Sequence, residues 1–166
     1  MRLELSPHFR SGGPRLTGRC LILFLCFLAL PARANLGETI AQCVARYGTP
    51  IHFTEANDKF PFGTITFTAG GYGLTVFISH DKEVGARVSK TDKSAFTDAE
   101  LQSIMGADAG DSKWSSTASD DPTCLAWTRG DQAKVLYDKE KHMVIFTSLE
   151  MAQALQAAPA KPPTGN

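Results

Sequence analysis

The chain has 166 residues, 43% of them hydrophobic, with 17 basic and 17 acidic side chains. That is enough apolar material for one core and too little length for several large domains. The charge is uneven along the chain. Setting aside the five arginines and one glutamate of residues 1–34 leaves 12 basic and 16 acidic side chains, a net charge of −4, which excludes the basic stripe of a nucleic-acid binder.

Residues 1–34 read as an export signal. Arg2, Arg10, Arg15 and Arg19 form a positive leader, Cys20 to Leu30 is an uninterrupted apolar run, and Pro31-Ala32-Arg33-Ala34 supplies small residues before a cut at Ala34/Asn35. The apolar run is well short of the roughly 20 residues that a membrane-spanning helix needs. The expected mature protein is therefore exported, periplasmic or secreted, with no membrane association once the signal is removed. Neither Cys20, after Arg19, nor Cys26, after Leu25, has the small preceding residue of a lipid-attachment site.

Thr39 and Gln42 form a capping box for a first helix, with Ile40, Cys43, Val44 and Tyr47 on one apolar stripe and Gly48 and Pro50 as its stop. Thr64 to Thr68 alternates polar and apolar residues as a half-buried strand does. Ala69 to Gly73 reads as a turn, Leu74 to Ser79 as a second strand, His80 to Glu83 as a polar connection and Val84 to Val88 as a third strand. The core candidates are Ile65, Phe67, Leu74, Val76, Ile78, Val84, Ala86 and Val88.

A second capping box, Thr97 with Glu100, opens a helix carrying Leu101, Ile104 and Met105 and ending at Gly106. Strands are expected at 123–128, 133–137 and 142–147, then a helix capped by Thr147 and Glu150 and running to Gln156. The Ala- and Pro-rich tail, 157–166, reads as disordered. The fold class is α+β, short helices packed on one face of an antiparallel sheet. The halves read alike, which leaves open either a single domain over 35–156 or two tandem αβββ units at 37–95 and 96–156.

Gly37-Glu38-Thr39, the apolar helix, and Tyr47-Gly48-Thr49-Pro50 before a meander resemble the opening of SmpA/OmlA-type envelope domains. The build is also similar to that of the secreted beta-lactamase-inhibitor protein, which holds two such units in tandem. With Trp114 and Trp127-Thr128-Arg129, the whole mature stretch resembles a group of uncharacterised small exported bacterial proteins. The first of these resemblances, which covers roughly the first third of the mature stretch, implies a helix–sheet fold and a non-enzymatic, protein-binding habit, and it transfers no binding residues. The missing lipid-bearing cysteine departs from the envelope-lipoprotein pattern.

Chemistry-bearing residues are sparse. His52, His80 and His142 have no second ligand at metal spacing, and Asp108, Asp111, Asp120 and Asp121 do not follow a calcium-loop pattern. His80-Asp81 reads as half of an acid–base pair or, more simply, as a solvated turn. Cys43 lies on an apolar helix face, where a thiol is poorly activated. Cys43 and Cys124 can form one disulfide in an oxidising compartment or remain two small hydrophobes. The loop aromatics Phe60, Phe62 and Tyr72 are the candidate binding residues, because exposed aromatics anchor interfaces, with Tyr72 the best exposed of them. The simpler alternative is that Phe60 and Phe62 close one end of the core and Trp114 plugs the space between the halves.

The expected function is a non-enzymatic binding or scaffold domain, without cofactor or metal, whose partner is another exported or envelope protein. Two alternatives stand beside it. One is a small hydrolase or ligand- or metal-binding domain using His80, Asp81 or the acidic loop. The other is a structural protein that self-associates through an edge strand. The oligomeric state stays open.

Overall fold

The computed structural model describes residues 35–58, 60–109 and 112–157. The expected export signal and the tail beyond Ala157 lie outside the described residues. In chain order the elements are α1 (Ile40–Tyr47), β1 (His52–Thr54), β2 (Gly63–Ala69), β3 (Tyr72–Ser79), β4 (Lys82–Lys90), α2 (Asp98–Asp108), β5 (Ser115–Thr117), β6 (Cys124–Thr128), β7 (Lys134–Asp138), β8 (Met143–Thr147) and α3 (Leu149–Ala157).

All eight strands form one antiparallel sheet in the order β1-β2-β3-β4-β8-β7-β6-β5. Both halves run from edge to centre in chain order and join where β4 pairs β8, with Ala86 opposite Phe146 and Val88 opposite Val144. This corrects the tandem αβββ expectation. Each half holds four strands rather than three, and the halves share a sheet and a core instead of closing separately. The reason is apolar area: Phe67, Leu74 and Val76 from one half and Val144 and Phe146 from the other are fully buried in the same cluster. Burying each such side chain stabilises by about 1.5–3 kcal/mol, which splitting the halves would forfeit.

Both capping boxes form as the sequence predicts. Thr39 accepts from the Gln42 amide and Thr97 from the Glu100 amide, and each partner side chain reaches back to the cap backbone. Cys43 and Tyr47 of α1 and Leu101, Ile104 and Met105 of α2 lie on the main cluster. Helix α2 passes its predicted stop at Gly106 and runs to Asp108, where Asp108 is tied to later chain. Helix α3 is capped by Ser148, whose Oγ accepts from the Met151 amide, rather than by Thr147.

The helices do not share one face. Met151 of α3 packs with Phe62 and Val84 in a second cluster, joined by Phe60, Phe77 and Ala154. Strand alternation places Phe77 opposite in phase to the core residues Val76 and Ile78, so this cluster lies on the reverse of the sheet. Gly85 permits the approach: a Cβ there would collide with Met151 Sδ and come within 2.8 Å of the Phe146 carbonyl oxygen.

The β3–β4 hairpin decides where the site forms. His80 and Asp81 both have positive φ, 47° and 67°, as a two-residue I′ turn requires. The register then slips between Phe77 and Ile78, pairing Phe77 with Gly85 but Ile78 with Glu83. This bulge inverts the alternation. Val84, expected beside Ala86 and Val88, turns to the reverse face, and Glu83 turns inward beneath α1.

Candidate functional site

Glu83 is 1% exposed, a carboxylate in the apolar layer between α1 and the sheet. Its Oε2 accepts from Cys43 Sγ at 3.5 Å, and its Oε1 has no hydrogen-bond partner among the described residues. The Tyr47 hydroxyl, on the same helix face as Cys43, is also buried without a partner. Burial pushes the Glu83 carboxyl up to about 9, opposed by the Cys43 hydrogen bond and raised further by Asp108 and Glu38. Burial, with Glu83 beside it, pushes the Cys43 thiol up to about 12. Tyr47 is shifted upward for the same reason.

The stretch 35–39 forms the roof over this group. The Gly37 amide donates to the Glu83 carbonyl at 2.8 Å, the Glu83 amide donates to the Glu38 carbonyl at 2.7 Å, and Thr39 bridges Lys82. The Leu36 amide donates to Asp108 Oδ1 at 2.7 Å, and the Asn35 side chain donates to Glu38 Oε1 at 2.9 Å. The Asn35 backbone lies near the Glu83 carboxyl and lowers its pKa. Asn35, Gln42, Asp108 and Arg129 line the mouth of a cleft of about 360 Å³ at this point.

Two cations stand near. Arg46 pairs with Glu38, and Arg129 bridges Asp108 at 2.8 Å and Asp131 at 2.8 Å while its guanidinium lies 4.9 Å from the Trp114 ring centre. Asp108, 6% exposed, is raised by burial to about 6, against the lowering effects of the Leu36 amide and Arg129. Both arginines are thus committed to carboxylates other than Glu83.

Ligand atoms of Glu38, Cys43 and Glu83 lie within 4.8 Å of one another, a juxtaposition that no sequence spacing announced. The donor chemistry suits a metal poorly. The Cys43 thiol and Glu83 carboxyl both retain protons at neutral pH, and both Glu38 oxygens are engaged by Arg46 and Asn35. The sequence spacing shows no metal motif, and the cluster the structure brings together is two buried, protonated groups, Cys43 and Glu83, beside a Glu38 carboxylate already paired with Arg46.

The aromatic candidates are corrected. Phe62 is buried and Phe60 half-buried, packed edge-to-face 5.3 Å apart under α3, so neither offers a free ring to a partner. Tyr72 is not at a turn tip: the turn is only Gly70-Gly71, both with positive φ, and Tyr72 opens β3 with its ring stacked on Phe96 at 6.1 Å. Phe62 and Tyr72 lie on opposite faces and form no common site. Large aromatic area is worth more inside than out, and for Phe60 and Phe62 the core-closing alternative is the one the packing matches.

The disulfide is also corrected: Cys43 and Cys124 are free. Cys43 points into the core beside Glu83 on β4, whereas Cys124 lies on β6, three strand spacings or roughly 14 Å across the sheet. Bridging requires backbones within about 7 Å. Cys124 instead lines a cleft of about 420 Å³ on the reverse face with Ala126, Thr128, Lys134 and Leu136.

The histidine and acidic-loop candidates are dispersed. His80 sits in the hairpin turn, 3.6 Å from Glu150, and His142 Nδ1 lies 2.8 Å from the Lys93 carbonyl oxygen. Asp121 accepts from Thr123, Asp111 lies outside the described residues, and only Asp108 joins the site.

Sequence reasoning missed a different surface. Strand β1, an edge strand of three residues, leaves Ile51 66% and Phe53 55% exposed. Phe53 pairs with Ile65, which places it on the α1 side, where Val44 is also exposed. The signal was present as Ile51-His52-Phe53, apolar at alternate positions, but too short to read as a strand.

No protein-family model matches the chain, and no curated protein matches it. Among solved structures, it is similar to a cysteine-rich secretory protein from Staphylococcus aureus subsp. aureus Mu50, at 11% identity and a TM-score of 0.43 over 79% of this chain and 54% of that one. It is similar at 10% identity and a TM-score of 0.41 to an extracellular protein containing a SCP domain from Bacillus anthracis str. Ames, over 81% of this chain and 53% of that one. The chain thus spans about half the length of both structures. Likeness of this degree carries no weight for function.

Proposed function

We propose that the chain is an exported, non-enzymatic protein-binding domain of the cell envelope or exterior, and that it binds an extended segment of another exported protein along β1. The observation that carries this reading is the edge itself. Among the described residues strand β1 pairs only with β2, so its outer N–H and C=O groups are open to a further strand. Phe53 within the strand and Ile51 immediately before it are both largely exposed at that edge. Apolar side chains flanking an open ladder supply the contact area that backbone pairing alone lacks. The leader of residues 1–34 supports the compartment, and the Gly37-Glu38-Thr39 to Pro50 resemblance supports the binding habit.

The test immobilises the processed chain beside an Ile51→Glu/Phe53→Lys variant and passes envelope and culture-medium extracts over both. A protein retained by the first and lost from the second is the expected result. Retention by both puts the contact elsewhere, and light scattering that shows concentration-dependent mass for the parent chain alone assigns the edge to a second copy. The reverse-face cleft favours one other reading. Its volume falls in the range of small-ligand sites, and a ligand there would protect Cys124 from alkylation.

A further inference from the structure

We infer that hydrolysis of the Ala34–Asn35 bond creates an α-ammonium group that ion-pairs with the buried Glu83 carboxylate, so that the fold is completed only in the processed chain. The inference rests on the export reading above. Water adds across the amide, Ala34 leaves with the carboxylate, and the Asn35 amine takes a proton from solvent. An export signal peptidase is the class of enzyme that supplies the step.

Three observations converge on it. Glu83 Oε1 is buried without a partner, which costs on the scale of a lost hydrogen bond or more unless a donor is supplied. Asn35 is held at two points next to its own nitrogen: its side chain is fixed on Glu38, and the next amide is fixed on Asp108. Its backbone nitrogen lies near enough to the Glu83 carboxyl to lower that group's pKa. Replacing that single neutral N–H by a charged group with three protons supplies both a counter-charge and the missing donors.

Among the described residues, the charged and titratable groups around Glu83 supply it no cation. From α1 come Cys43 and Tyr47, both shifted up by burial, and Arg46, which is occupied by Glu38. From α2 and the β6–β7 turn come Asp108 and Asp131, which share Arg129. An excess of carboxylates over arginines thus surrounds Asn35, and an α-ammonium redresses it.

The experiment begins with the full chain expressed through its export route and the mature N-terminus read by mass spectrometry. Asn35 is the expected first residue. A product that keeps residues 1–34 overturns both the inference and the export reading, and a cut elsewhere overturns the inference alone. The processed protein, its Nα-acetylated form and a Glu83→Gln variant are then compared. Acetylation should lower the Tm of the parent and leave the Tm of Glu83→Gln unchanged. In the parent the Asn35 amine should acylate roughly tenfold more slowly at neutral pH than in the variant, the factor that one unit of raised amine pKa produces. Equal acylation rates, or an acetylation effect that persists in Glu83→Gln, overturn the ion pair while leaving export standing. If Glu83→Gln fails to fold, the pH dependence of acylation in the parent decides: an amine titrating at the ordinary α-amino value overturns the inference.

Discussion

Glu83 and Asp108 are two carboxylates beneath the same short stretch, residues 35–39, and both are almost completely buried. Asp108 has a full set of partners: the Leu36 amide on one oxygen and Arg129 on the other, with Arg129 held in turn by Asp131 and the Trp114 ring. Glu83 has a weak thiol donor, a backbone contact from Asn35 and a bare oxygen. Burial raises both, Asp108 to about 6 and Glu83 to about 9. The difference shows that burial alone does not set the charge state. What decides it is whether the fold brings a cation to the carboxylate, and here it brings one to Asp108.

The contrast is most strongly broken by making Asp108 resemble Glu83. Arg129→Ala leaves a buried carboxylate unpaired and removes the stacked cover of Trp114, so urea unfolding should show a loss of about 3–5 kcal/mol. A loss under about 1 kcal/mol would place Arg129 among ordinary surface pairs.

The pH dependence sharpens the contrast. The folded pKa of Glu83 lies above its ordinary value of 4.5, so unfolding releases its proton at intermediate pH. Its contribution is fully present below pH 4.5 and is lost as pH rises to about 9. In the Nα-acetylated chain stability should therefore fall across that window with a slope approaching about 1.4 kcal/mol per pH unit, and Glu83→Gln should flatten it. The processed chain should show a shallower fall, since an α-ammonium pulls the carboxyl pKa down. Thermal melts of the three proteins at matched ionic strength between pH 5 and 8 check the ordering.

Tyr47→Phe gives the smallest effect. Its hydroxyl is buried without a partner, so deleting it should be neutral or should stabilise by about 1 kcal/mol. A clear destabilisation would mean that the hydroxyl serves Glu83 in solution.

Much of the secondary structure was legible in the residues. Thr39 with Gln42 and Thr97 with Glu100 are local signals whose hydrogen bonds span three residues, and the helices begin where they say. The alternation from Thr64 to Thr68 and the apolar run from Leu74 likewise form strands. Strands β1 and β5 were not legible, because three residues carry too little alternation and each is held by its neighbour in the sheet. Phe60, Phe62 and Tyr72 looked exposed only because their covers, α3 and Phe96, are distant in the chain. Least legible was Glu83. In His80-Asp81-Lys82-Glu83 it reads as solvated turn, and only the bulge opposite Ile78 turns it inward.

By itself, then, the sequence determined the α+β class, the two capped helices, the central strands and the case for an export leader, all from patterns within a few residues of one another. Only the tertiary structure decided that the halves share one sheet, that α3 takes the reverse face, that the cysteines stay apart and that Glu83, Cys43, Asp108 and Asn35 meet. Those outcomes depend on register and on contacts across tens of residues. A one-residue slip in pairing exchanges inside for outside without changing any local pattern.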